Sequence, residues 1–217
     1  MSAQILSPSD EHISLAAACV RDGGVVVAPS DTNMALTVVP DSPTAIERVY
    51  DSKDRPRDKP LTLFVRDPDD WRRFARHDDP AVVDALTEAF WPGPLNLVLE
   101  RDAPDLDDRC CRDGTVSVGC LSNPVWRAFA DAVGGPVAMT SANRSGTVPD
   151  DRLVDVELAA DHVGGSVDYI LGGEPDGTTR ASTILSLASG GAGTATILRQ
   201  GDLTGAAIEQ AAPLALD

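Results

Sequence analysis

Apolar and polar positions along this chain follow two periods. "SPSDEHISLAAACVRDGG" repeats its apolar residues at helical spacing, with Ser7 or Ser9 placed to cap the start and Gly23 to end it. "GVVVAPSDT" is a continuous apolar run entering a polar turn, which predicts a buried strand. A short strand near Thr37 to Val39 and a helix from about Pro43 to Ser52 follow. "PLTLFV" predicts a strand, and "DPDDWRRFAR" and "PAVVDALTEAFW" predict helices. "PLNLVLE" predicts a strand, "APDLDDRCCRDG" a long polar loop and "TVSVGCL" a strand. "NPVWRAFADAVGG" predicts a helix, and "PVAMTSAN" a strand ending in a turn. Strands around "VDYIL", "STILSL" and "TATILR" and a short final helix complete the chain. The Gly-rich "SGGAGT" (189–194) predicts a hairpin turn.

Alternation of strands and helices implies an α/β fold, a sheet covered by helices. The closely spaced late strands imply a mixed sheet, parallel and antiparallel. A length of 217 residues fits one domain able to bury its own core. No apolar run is long enough to span a bilayer, and no basic-then-apolar leader opens the chain. The four cysteines, Cys19, Cys110, Cys111 and Cys120, form no CxxC pair, so free thiols in a reducing cytoplasm are expected.

Charge changes the picture. The formal net charge is -16, which argues against broad binding to nucleic acid or to an anionic membrane. Yet the only two lysines fall in "SKDRPRDKP", where Lys53, Arg55, Arg57 and Lys59 lie within seven residues. Such a run is ordinarily a solvated loop. Three strand-end turns, "PSDT" (29–32), "TSANRSG" (140–146) and "RAST" (180–183), carry hydroxyl and amide groups. Beyond strand ends is where open α/β sheets bind ligands. Singly, each turn is better explained as helix capping or loop backbone satisfaction. Together with Lys53 and Arg55 they suggest a polyanion site of the kind that takes a nucleotide triphosphate. Neither GxxxxGK[ST] nor GxGxxG occurs. His12, His77 and His162 have no metal-ligand spacing, so no metal site in the protein is expected. No GxSxG elbow is present. Trp71, Trp91 and Trp126 fall in amphipathic stretches and are expected in the core.

The turns also share an order. "GGVVVAPSDTNMAL", "YDSKDRPRDKPL", "FWPGPLNLVLE", "GGPVAMTSANRSGTVP", "RASTIL" and "ILRQG" resemble, in sequence and approximate spacing, the motifs of the YrdC-like family. The match runs from about Gly23 to Gly201. That family includes threonylcarbamoyl-adenylate synthase. The resemblance implies a single-domain twisted mixed sheet with flanking helices and one positively lined concave site. It implies condensation of L-threonine, bicarbonate and ATP to threonylcarbamoyl-AMP and pyrophosphate, with Mg2+ beside the nucleotide. A partner protein would then transfer the group to tRNA. The family's K-x-R and S-x-N hallmarks correspond to Lys53 and Arg55 with Ser141 and Asn143. By the same resemblance Ser182 and Arg199 would face the nucleotide, and Thr32, Met34 and Phe64 the amino-acid substrate.

Several positions depart from the family pattern. Met34 stands for its aromatic residue, Ala35 for a Gly, Phe64 for a His, Asn96 for a Thr, Gly119 for an Arg and Leu121 for a Pro. A lost cation opposite a carboxylate or phosphate removes a contact of about 1.5–3 kcal/mol. Arg112 and Arg144 are the nearby candidates to replace it. The K-x-R and S-x-N half is thus kept while the amino-acid half is remodelled. Three readings stay open: an ATP-using synthase acting on threonine or another amino acid; a non-catalytic nucleotide- or RNA-binding paralogue, against which the charge weighs; and carbamoyl-phosphate chemistry.

Overall fold

The computed structural model describes residues 2–149, 151–174, 177–188 and 193–217. In chain order the elements begin with β1 (Gln4–Leu6), α1 (Asp10–Arg21), β2 (Val26–Pro29), β3 (Met34–Val38), α2 (Pro43–Lys53) and β4 (Thr62–Phe64). Next come β5 (Ala75–Arg76), α3 (Pro80–Phe90), β6 (Leu95–Arg101), β7 (Cys111–Arg112), β8 (Thr115–Gly119), α4 (Pro124–Val133) and β9 (Val137–Ser141). The last are α5 (Val156–Val163), β10 (Tyr169–Leu171), β11 (Thr183–Ser186), β12 (Thr194–Arg199), α6 (Gly205–Ala211) and β13 (Ala215–Leu216).

The helices start where their caps dictate. Ser9 caps α1 by accepting from His12 N. Asn123 caps α4, with Pro124 in the first turn, and Gly134 ends it in the left-handed region at φ 76°. Ile13, Ala16, Ala17 and Val20 form the buried stripe of α1, and Trp126, Phe129, Ala130 and Val133 that of α4. These two stripes pack on one face of the sheet, in a cluster that includes Ala35, Met139 and Val26. The opposite face carries the larger cluster, with Leu36, Val49, Leu86, Leu97 and Val118 at its centre.

Strands pair in the order β1-β10-β2-β3-β9-β4-β8-β6-β11-β12-β13, with β5 beside β6 and β7 beside β8. The β4–β8 and β6–β11 pairs are parallel, and the β2–β3, β3–β9, β4–β9, β6–β8 and β11–β12 pairs are antiparallel. The expected mixed sheet is therefore present. All three tryptophans are buried as expected, at 2 % (Trp71), 6 % (Trp91) and 0 % (Trp126) exposure. The four cysteines are free thiols. No described helix is long and apolar enough to cross a membrane.

Some local expectations fail for physical reasons. "DPDDWRRFAR" forms only a 3-10 turn over Pro68–Arg73 and then enters β5. Trp71 is that turn's one buried residue, too little apolar face to hold an α-helix. The polar loop after β6 contains a 3-10 turn (Asp108–Cys110) and the β7–β8 hairpin. The hairpin is closed by left-handed Asp113 and Gly114. Strand β3 begins at Met34 rather than near Thr37. Residues 189–192 of the predicted Gly-rich turn lie outside the described residues.

Helices α1 and α4 cover only part of their sheet face. Beyond them, residues alternate across the sheet between core and cavity. Leu95, Leu97 and Leu99 of β6 enter the core, while Asn96 and Val98 face a cavity. Val116 and Val118 of β8 do the same against Thr115 and Ser117.

Candidate active site

That bare half-face is the floor of a cavity of about 730 Å³. Lys53, Arg55, Ser141, Asn143, Ser182, Arg199, Thr32 and Phe64 all line it. Residues separated by up to 167 positions in sequence are thus brought to one concavity (Thr32 to Arg199).

Met34 is the exception. Strand alternation sends it to the opposite face, where it is 1 % exposed in the core with Leu36 and Val38. Its neighbour Ala35 faces the cavity instead. The assignment of Met34 to a substrate pocket is therefore corrected.

Lys53 is the last residue of α2 and is 1 % exposed. Its Nζ donates to the Ser141 carbonyl and, at 3.4 Å, to Ser141 Oγ. In return Ser145 N donates to the Lys53 carbonyl at 3.0 Å. Burial, and then the Arg55 guanidinium nearby, lower the Lys53 pKa to about 7. Asp54 turns the chain out of the helix through the left-handed region, at φ 51°. The chain then presents Arg55, whose guanidinium is locked by three acceptors. Nε donates to Lys59 O at 2.9 Å, Nη1 to Thr140 Oγ1 at 3.0 Å and Nη2 to Pro60 O at 2.7 Å. An arginine has five N–H donors, so two remain for a ligand. Burial lowers the Arg55 pKa from its usual value.

The other basic residues divide. Lys59 lines the cavity. Arg57 turns outward and pairs with Glu47 at 2.5 Å and Asp51 at 3.2 Å. Arg112, on the β7–β8 hairpin, reaches the cavity and pairs with Asp113 at 3.2 Å, whereas Arg144 is not among its lining residues. On the far wall Arg199 Nε donates to Ser182 O at 2.9 Å. Thr32 N is held by Ser30 Oγ at 3.2 Å, and Asn143 Nδ2 donates to Arg144 O at 2.9 Å.

One supporting residue carried no recognised chemical signal in the sequence. Asp31 is 1 % exposed. Its carboxylate accepts from Ser122 N at 2.9 Å and Asn123 N at 2.7 Å, and its carbonyl from Thr178 Oγ1 at 2.6 Å. Asn123 Nδ2 in turn reaches Ser30 O at 3.2 Å and Glu174 O at 2.9 Å. The amides leading into α4 stabilise this buried anion. The network ties together loops that place Ser30, Thr32 and Leu121 in the cavity.

The arrangement is a deep cleft with cations on more than one wall and small hydroxyl groups between them. The family model for Sua5, YciO and YrdC proteins, described as telomere recombination, matches residues 18–201. The chain belongs to the Sua5/YciO/YrdC family. A Bacillus subtilis relative named threonylcarbamoyl-AMP synthase is 30 % identical over 94 % of this chain. The chain spans 57 % of that relative's length. A relative of the same name from Escherichia coli O1:K1 / APEC is 30 % identical, covering 83 % of this chain and 93 % of its own. The crystal structure of Pyrococcus abyssi Sua5 complexed with L-threonine superposes with a TM-score of 0.87 at 23 % identity. That match covers all of this chain and 63 % of the Sua5 chain. The twisted mixed sheet described above is thus the Sua5/YciO/YrdC fold.

Proposed function

We propose that this chain is an ATP-dependent nucleotidyltransferase of the threonylcarbamoyl-AMP synthase kind. It would convert L-threonine or a related amino acid, bicarbonate and ATP to the carbamoyl-adenylate and pyrophosphate. The carrying observation is the convergence of Lys53 and Arg55 with Ser141 and Asn143 on one cavity, with Lys53 Nζ bonded to Ser141.

The geometry suits the reaction. Attack of the carbamate oxygen on the α-phosphorus builds charge on the phosphoryl oxygens and on the departing pyrophosphate. A buried ammonium and a guanidinium fixed by three acceptors stabilise that charge without reorganising during the step. Ser182, Arg199 and Asn143 are proposed to hold the nucleotide, and Thr32 and Phe64 the amino acid. Mg2+ is expected with the nucleotide. Among the described residues no group of three or more His, Cys, Asp or Glu could hold a metal ion. Among the described residues the cavity is lined by one carboxylate, Asp113, engaged by Arg112. A magnesium ion fits this site as cargo of the triphosphate, held by phosphate oxygens and water, and would shield charge there. The L-threonine bound to the P. abyssi protein supports a small amino acid as co-substrate. A tRNA-modifying partner protein, rather than direct tRNA binding, fits the charge of -16.

Pyrophosphate release is the test. Wild-type protein with ATP, bicarbonate and L-threonine, or a panel of other amino acids, is expected to release it, and Lys53→Ala and Arg55→Ala are not. Nucleotide binding without pyrophosphate release from any amino acid would refute the proposal in favour of a binding-only role.

A further inference from the structure

A carboxamide that lines the cavity keeps its oxygen buried without a hydrogen-bond partner. Asn96 is 5 % exposed and lines the cavity, and its Oδ1 is fully buried without a partner. Gly119 is its register partner in β8, and Phe64 of β4 is the register partner of Gly119 on the other side. A Cβ built on Gly119 would lie 2.6 Å from Asn96 Oδ1 and 2.7 Å from Phe64 Cε1. The carboxamide oxygen and the ring edge therefore share the space above a bare glycine.

Two consequences follow from that packing. No side chain fits at position 119 while Phe64 and Asn96 stand as they do, so the three positions act as one unit. The rim of an aromatic ring is its positive part, which favours the carboxamide oxygen there over the amino end. Nδ2 is then the end left towards the cavity, with two donors. The residues opposite Asn96 in register, Gly119 and Ile184, carry no charge, and neither does Phe64.

We propose that Asn96 is a specificity-determining residue, its Nδ2 donating to a carboxylate oxygen of the amino-acid substrate. It acts where the Phe64 ring edge and the carboxamide share the space above Gly119. This rests on the synthase reading and names the side chain that holds that substrate's oxygen. An uncharged donor holds a carboxylate less strongly than a cation does. The site is accordingly tolerant of a neutral carboxamide in place of the carboxylate.

The test is calorimetric binding of L-threonine, L-threoninamide and ATP to wild type, Asn96→Leu and Asn96→Ser. Both variants are expected to bind L-threonine about tenfold more weakly or worse. Their ATP affinity should fall less than their L-threonine affinity, since β6 lies three strands from β9, whose Thr140 anchors Arg55. Wild type should bind L-threoninamide within about tenfold of L-threonine. Unchanged L-threonine affinity in a folded variant would overturn the proposal. So would an equal loss for ATP, which would make Asn96 a structural support. Asn96→Ser, smaller and still polar, keeps the test open if Asn96→Leu fails to fold. Wild type that binds L-threonine without releasing pyrophosphate overturns the synthase reading, and the affinity comparison still decides the role of Asn96. Wild type that binds no amino acid overturns the Asn96 contact itself.

Discussion

Lys53 stores a pH-dependent cost that can be read directly. Its pKa falls from 10.5 to about 7 on folding because the ammonium is buried, with Arg55 adding to the effect. Below pH 7 the lysine is charged in both states, and the folded protein carries the full penalty. Above about pH 10.5 it is neutral in both, and the penalty vanishes. The unfolded chain binds the extra proton in between, so stability gains with rising pH. Between about pH 6.5 and 9.5 the gain is on the order of 3 kcal/mol. Lys53→Met keeps the length and removes the charge, though it leaves the Ser141 carbonyl without its donor. The comparison is therefore the change in stability between the two pH values, in which that constant loss cancels. Urea unfolding of both proteins should give wild type a rise larger than that of Lys53→Met by roughly 3 kcal/mol. Nucleotide binding near pH 8 should also take up a proton, because a polyphosphate favours the ammonium. Calorimetry in buffers of different ionisation enthalpy measures that uptake. Equal pH slopes in the two proteins, together with no proton uptake, would refute the reasoning.

Other substitutions separate the roles of neighbouring residues. Arg55→Lys keeps the charge but cannot satisfy three acceptors at once, so pyrophosphate release should fall by about tenfold or more while the fold persists by circular dichroism. Arg57→Ala should leave turnover within about twofold, since Arg57 is engaged by exposed Glu47 and Asp51 outside the cavity. Asp31→Asn keeps the shape but puts an amino group or a neutral oxygen before two backbone N–H donors. It should cost about 1–3 kcal/mol in urea unfolding and raise the KM for the amino acid.

Much of the architecture was legible because strands and helices differ in period. The capped stripe of α1 and the alternation in "PLNLVLE" each predicted the right element. Short pieces were not legible: β1, β13 and the two-residue β5 and β7 exist through pairing with distant strands, which leaves little local imprint. At the site, residue types and order brought out Lys53, Arg55, Ser141 and Asn143, all of which line the cavity. Met34 failed because motif position says nothing about which face of a strand a side chain takes; the alternation of Met34, Leu36 and Val38 was the available signal. Asp31 was missed because its partners are main-chain amides 91 and 92 positions away. The Phe64–Gly119–Asn96 unit showed in sequence only as separate departures. Register alone reveals that they touch.

The half-covered sheet face has a consequence for how the molecule is held together. Elsewhere α1 and α4 form the layer that shields the strands, but over β8, β6 and β11 no described helix does so. On the proposed function, nucleotide and amino acid would fill that place and form a removable third layer of the fold, bridging the α2 end and the β11–β12 wall. Their binding would stabilise the folded state by an amount that grows with the logarithm of ligand concentration above Kd. Ligand binding should accordingly raise the protection of these strands against hydrogen exchange.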